Sequence, residues 1–141
     1  MKKNLLIISS KNSCRSQIAH GFFEKYGKDT LNVYSAGIES PGINPMAIQF
    51  MSDVEIDISK YTSNQLQEYK DIEFDFIITI CNHSRENCPY FPSKAKRFHQ
   101  HFDDPSKIDG VNDRVIMAYV ETRDALEVYV KGFIEKEFDA I

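Results

Sequence analysis

The chain has 141 residues, 42% hydrophobic and 27% charged, which fits one globular domain over 1–141, and its net charge of −4 argues against a nucleic-acid partner, whose phosphates call for a basic face. No apolar run approaches a membrane span, and the four apolar residues after Met-Lys-Lys-Asn are too few for a signal-peptide core, so no membrane partner and a cytoplasmic location are expected. The three cysteines are an odd number and make no disulfide framework; in a reducing compartment each either packs or reacts.

Leu5 to Ile8 is a continuous apolar run, read as a strand buried on both faces. From Ser16 a helical pattern carries Ile18, Ala19, Phe22, Phe23 and Tyr26 on one face, and Gly27 ends it. Leu31 to Ser35 is a second short strand. Asn44 followed by Pro45 reads as a helix start, with Ala47, Ile48 and Met51 buried. Thr62 is expected to cap a further helix through Leu66 and Tyr69. Phe74 to Ile80 is the most apolar strand and runs into Cys81. Residues 81 to 93 read as a long polar loop, Arg97 to Phe102 as an edge strand, and Val111 to about Phe138 as one amphipathic helix. This alternation predicts an α/β fold, a three-layer sandwich with a four-stranded parallel sheet and helices on both faces. In such folds ligands bind at the carboxyl ends of strands. Ser9, Cys81 and Asp104 all follow predicted strands, so the fold would bring them to one rim.

The stretch between the first strand and the first helix carries the chemistry. Ser10, Lys11, Asn12, Ser13, Cys14, Arg15 and Ser16 form a loop of small and polar residues opening a helix. Converging backbone N–H groups and a helix N-terminus favour an anion, and Arg15 adds a planar fork of donors suited to a tetrahedral oxyanion. The stretch therefore reads as a cradle for a phosphate-like tetrahedral oxyanion. Asn12 tolerates a left-handed backbone, and Cys14 reads either as a small residue packed under the loop or as one with a role in redox protection.

Asn12-Ser13-Cys14-Arg15-Ser16-Gln17, Tyr34-Ser35-Ala36-Gly37, Cys81 with Cys88-Pro89, and Phe102-Asp103-Asp104-Pro105 together resemble the thioredoxin-coupled arsenate reductases. Those proteins share the fold of the low-molecular-weight protein tyrosine phosphatases, and the resemblance runs over nearly the whole chain. It implies an anion loop of the form Cys-x5-Arg. Arg15 matches the arginine, and the nucleophile position falls on Ser9, where the family has cysteine. Asp104 matches the acid that protonates the leaving oxygen. Cys81 matches the cysteine that attacks the covalent adduct and releases arsenite. Cys88 matches the one that then attacks Cys81, leaving a disulfide presented to thioredoxin through Cys88. Asn12 and Ser35 resemble loop-bracing residues. Some relatives hold potassium beside this loop through carboxylates; the matching positions here are His20 and Asn64, neither acidic, so no metal and no resident cofactor is expected.

A thiol has a pKa of about 8.5 that loop amides and an arginine can lower, whereas a serine alcohol neither ionises readily nor forms a disulfide. The Ser9 form is expected to bind an oxyanion and fail at the first step. Ser9 reads either as a Cys-to-Ser substitution or as the mark of a natural non-catalytic relative. Two rivals stay open. One is a low-molecular-weight phosphatase, although Ser106 stands after Pro105 where that family commonly has an aromatic ring, and phosphatase chemistry has no need of Cys81 and Cys88. The other is a non-catalytic oxyanion-binding or redox module. His99 and His101 would share a strand face, read as solvated rather than as a zinc site. Asp103 is expected to cap the turn while Asp104 points at the site. A monomer is expected.

Overall fold

The sheet is built outward from its central strand. In the computed structural model, which describes residues 2–80, 90–108 and 112–138, β1 (Lys3–Ile8) carries Leu5, Leu6, Ile7 and Ile8, all fully buried. Both of its faces are covered, so the run needs no polar alternation. β2 (Leu31–Ala36) and β3 (Phe76–Thr79) pair with it in parallel on either side, and β4 (Lys96–His99) extends the sheet beyond β3, giving the order β2-β1-β3-β4. The chain leaves β1 toward β2 and returns to its other side for β3. That reversal opens a crevice at the carboxyl end of β1, where open parallel sheets bind ligands.

Among the described residues three α-helices complete the frame: α1 (Arg15–Tyr26), α2 (Pro45–Ser52) and α3 (Asn112–Phe138). All three join the core cluster that contains Leu5, Ile7 and Ile78. Along α3 the buried residues Tyr119, Thr122, Leu126, Val130 and Phe133 recur at steps of three and four, one stripe of a helix. Phe133 stands edge-on to Phe23, Phe76 and Phe98, with ring centroids 5.5, 5.6 and 4.8 Å away. The other face of the sheet carries a smaller cluster of Leu6, Ile8, Ala36, Phe74, Ile77 and Phe91. Among the described residues its helical cover is a single 3-10 turn, Leu66–Tyr69.

The α2 start follows its local sequence. The Asn44 Oδ1 accepts from the N–H groups of Met46 (2.7 Å) and Ala47 (3.3 Å), with Pro45 in the first turn. Thr62 does not cap a helix. The 3-10 turn starts instead at Gln65, whose N–H donates to the Glu68 carboxylate at 2.7 Å. The backbone before it is engaged elsewhere: the Asn64 N–H donates to Asn12 Oδ1, and the Thr62 carbonyl accepts from Gln17. The edge strand stops at His99 rather than Phe102, because the chain beyond it turns to offer the Phe102 carbonyl to Arg15 at 3.0 Å.

A candidate oxyanion site at the carboxyl end of the central strand

The loop after β1 turns its carbonyls outward. Ser10 O accepts from the N–H groups of Ile38 (2.9 Å) and Glu39 (3.2 Å), and Ser13 O from that of Asn44 (2.8 Å). Lys11 O accepts from Ser63 Oγ at 3.2 Å, and Asn12 O from Gln17 Nε2 at 3.0 Å. Cys14 O takes the first bond of α1, from the Ile18 N–H at 2.9 Å. In a trans peptide the carbonyl and the following N–H point in opposite directions. Anchoring these carbonyls outward therefore turns the N–H groups of residues 11 to 14 inward, the nest that binds an anion. The N-terminus of α1 closes the ring. Cys14 there makes no side-chain capping bond and the first turn holds no acidic residue, so an anion in the nest meets the positive end of the helix.

Ser9 sits at the base of this nest, 2% exposed. Its Oγ accepts the Asn12 N–H at 3.1 Å and donates to Ser16 Oγ at 2.8 Å. Ser16 Oγ also accepts from Asn12 Nδ2 at 2.9 Å. Asn12 has φ of +52°, the left-handed turn an asparagine tolerates. The Asn64 N–H holds its Oδ1 at 2.7 Å.

Arg15 is buried and spans the crevice. Its Nη1 donates to Phe102 O at 3.0 Å and to Ile80 O at 3.5 Å, and its Nη2 lies 3.7 Å from Asp104 Oδ2. The arginine thus joins the ends of β1, β3 and β4. Asp104 has two functions at once. Its Oδ1 caps the 3-10 turn Pro105–Lys107, accepting from the Ser106 N–H at 3.0 Å and the Ser106 Oγ at 2.6 Å, while Oδ2 faces the guanidinium. Asp103 does not cap the turn as the sequence predicted; its exposed carboxylate meets His101 Nε2 at 3.0 Å. Cys14 is buried in the core cluster, and its thiol is pushed up to about 12 by burial first and by Asp104 next, against Arg15. It stays protonated and unreactive at neutral pH.

Several supporting residues escaped sequence reasoning. Gly37 has no room for a side chain: a Cβ would meet Ser9 O at 2.8 Å and both Asn12 N and Ser10 O at 2.9 Å. Gln17 is fully buried, and its amide also reaches Thr62 O at 3.1 Å. The Gly37 beside Tyr34-Ser35-Ala36 was the available signal, since glycine allows close backbone approach. Ser35 is braced by His20 Nδ1 at 2.8 Å, and His20 Nε2 meets Glu24 Oε1 at 2.8 Å. His99 lies on β4 with Nδ1 2.6 Å from Thr79 Oγ1, whereas His101 lies beyond the strand, so the two do not share a strand face. No group of three or more metal-ligating side chains occurs among the described residues. No helix among them is long and apolar enough to cross a membrane. Cys81 and Cys88 lie outside the described residues.

A parallel α/β sheet with a carbonyl-out loop and a buried arginine at its switch point defines a class of proteins that hold tetrahedral oxyanions at the amino end of a helix. The comparisons place the chain within that class: the family model for low molecular weight phosphotyrosine protein phosphatase matches residues 4–139, and the chain belongs to this family. It is 39% identical over 134 residues to an arsenate reductase of Halalkalibacterium halodurans, covering 95% of this chain and 96% of that protein. The solved structure of an arsenate reductase in its phosphate-binding state superposes with a TM-score of 0.75 at 29% identity, covering 96% of this chain and 98% of the other. A low-molecular-weight protein tyrosine phosphatase from T. tengcongensis shares the fold at a TM-score of 0.73 and 20% identity, covering 96% and 99%.

Proposed function

We propose that this chain is an arsenate reductase-type member of the family, held at its binding step by Ser9. The observation that carries this reading is the intact nest around an alcohol. Ser9 Oγ lies buried at the base of the loop with an inward N–H on it, and Arg15 crosses the mouth. Arsenate or phosphate binds to the loop amides and Arg15, with the exposed Lys11 adding positive charge at the rim. Ser9 stands where the reductases carry a cysteine. Its hydroxyl donates a hydrogen bond but supplies no thiolate, so binding is reversible.

With a thiol installed by Ser9→Cys, the reaction proceeds in balanced steps. The thiolate forms an S–As bond, and an As–O bond breaks, with Asp104 giving its proton to the departing oxygen. The Cys81 thiolate attacks the sulfur of the adduct, forms a disulfide and leaves the electron pair on arsenic, which departs as arsenite. Cys88 attacks Cys81, moving the disulfide to the Cys81–Cys88 pair. Thioredoxin, docking through Cys88, supplies the two electrons that restore both thiols. The cascade belongs to the cytoplasm, where thiols are kept reduced.

The test is the Ser9→Cys variant with arsenate, thioredoxin, thioredoxin reductase and NADPH. Thioredoxin-dependent arsenite release is expected, alongside phosphate binding without turnover by the unaltered chain. A folded variant inert toward arsenate overturns the reading, and faster turnover of p-nitrophenyl phosphate than of arsenate replaces it with the phosphatase.

A further inference from the structure

We propose that Tyr119 is a positioning residue of the oxyanion loop, acting through Asn44; the inference deepens the proposed function and rests on that reading of the site. Asn44 makes three connections. Its Oδ1 accepts the Met46 and Ala47 N–H groups, its Nδ2 donates to the Tyr119 hydroxyl at 3.0 Å, and its N–H donates to Ser13 O at 2.8 Å. The two N–H groups on Oδ1 leave one orientation for the amide, so Nδ2 must face the phenol. Tyr119 is itself well anchored. It is 3% exposed, and its ring lies parallel to that of Phe50, 5.3 Å away. Arg123 of the same helix donates to Phe50 O at 3.1 Å. Helix α3 therefore grips α2 at both ends, and at one of them the grip passes into the loop.

The Ser13–Cys14 peptide is where this matters. Holding Ser13 O outward turns the Cys14 N–H into the nest. A rotation of that peptide would present a carbonyl to the anion in place of a donor. The other loop carbonyls are held by chain that follows β2 or precedes the 3-10 turn, and by α1 itself. Ser13 alone of these depends on the cap of a short helix, and the cap depends on the phenol. A buried hydroxyl is costly unless bonded, and a phenylalanine would fill the same space without it. The phenol meets Asn44, whose own N–H holds Ser13 O, and this places it on the loop side of α3.

The test compares Tyr119→Phe, Asn44→Ser, which keeps a cap-forming side chain, and the double variant, titrated calorimetrically with inorganic phosphate. Each single change is expected to raise Kd about fivefold, the loss of one hydrogen bond, and the pair also about fivefold. A Tyr119→Phe protein that binds phosphate as the unaltered chain does, whatever its melting temperature, overturns the proposal. So does a double variant whose loss is the product of the singles. A ligand-free readout separates this from the proposed function: exchange of the Asn44 amide is expected to quicken about fivefold in Tyr119→Phe. Unchanged exchange refutes the positioning role, whereas an unaltered chain that takes up neither phosphate nor arsenate refutes the oxyanion site.

Discussion

The candidate oxyanion loop and the aromatic packing beneath α3 lie on the same sheet and are built from opposite materials. Around the loop the buried residues are polar: Ser9, Asn12, Arg15, Ser16, Gln17 and Ser35 are each no more than 4% exposed. Beneath α3 they are rings, with Phe133 edge-on to Phe23, Phe76 and Phe98. Aromatic burial stabilises through area and tolerates some adjustment. A polar group gains nothing from burial unless each donor and acceptor finds its partner. The loop carbonyls of residues 10 to 14 are accordingly each bonded, and the exception in the set is the buried Gln17 Oε1, which has no hydrogen-bond partner among the described residues. The contrast predicts that stability and binding can be damaged separately.

Phe133→Ala should have the largest effect on stability, about 3–5 kcal/mol, with phosphate affinity kept once the protein is folded. Urea unfolding and calorimetric titration check the two halves, and a matching loss of affinity would break the distinction. Arg15→Gln is its converse. It should weaken phosphate binding by about 30-fold or more, read by the same titration. Gly37→Ala tests where the regions merge. Its Cβ would press on Ser9 O and the Asn12 N–H, so a loss of about 1–3 kcal/mol should come together with weaker binding.

A smaller effect concerns pH. Burial raises the Cys14 thiol from the ordinary 9.0 to about 12. The native chain then holds a proton that the unfolded chain has lost. The contribution is fully present below pH 9 and is lost as pH rises toward 12. Cys14→Ala should accordingly flatten the alkaline fall in the urea midpoint, and an identical slope would contradict it. The smallest effect is expected at His101→Ala: its partner Asp103 is 93% exposed, and screened surface pairs contribute little. Melting temperature and phosphate affinity should both stay as they are.

Where one stretch of chain supplies both the signal and the partner, sequence reading worked. Leu5–Ile8 is a strand because its four side chains are apolar without alternation, and Asn44-Pro45 opens α2 because cap and recipients are neighbours. It failed where a distant residue competed for the same group. Thr62 had the composition of a cap, but its segment is drawn to Asn12 and Gln17. Of the two adjacent aspartates, Asp104 faces Arg15 as expected, but it also takes the cap that was expected of Asp103. The arrest of β4 at His99 likewise follows from the demand of Arg15 for the Phe102 carbonyl.

The sequence by itself determined the alternation of strands and helices, the place of the candidate anion loop between β1 and α1, and the alcohol at position 9. These depend on side-chain period and on residues adjacent in the chain. Tertiary structure alone decided which carbonyls face outward, why residue 37 must be glycine, and how Tyr119 reaches Ser13 through Asn44. A loop becomes a nest only when donors from remote segments occupy its acceptors, and their meeting is fixed by the packing of the whole fold.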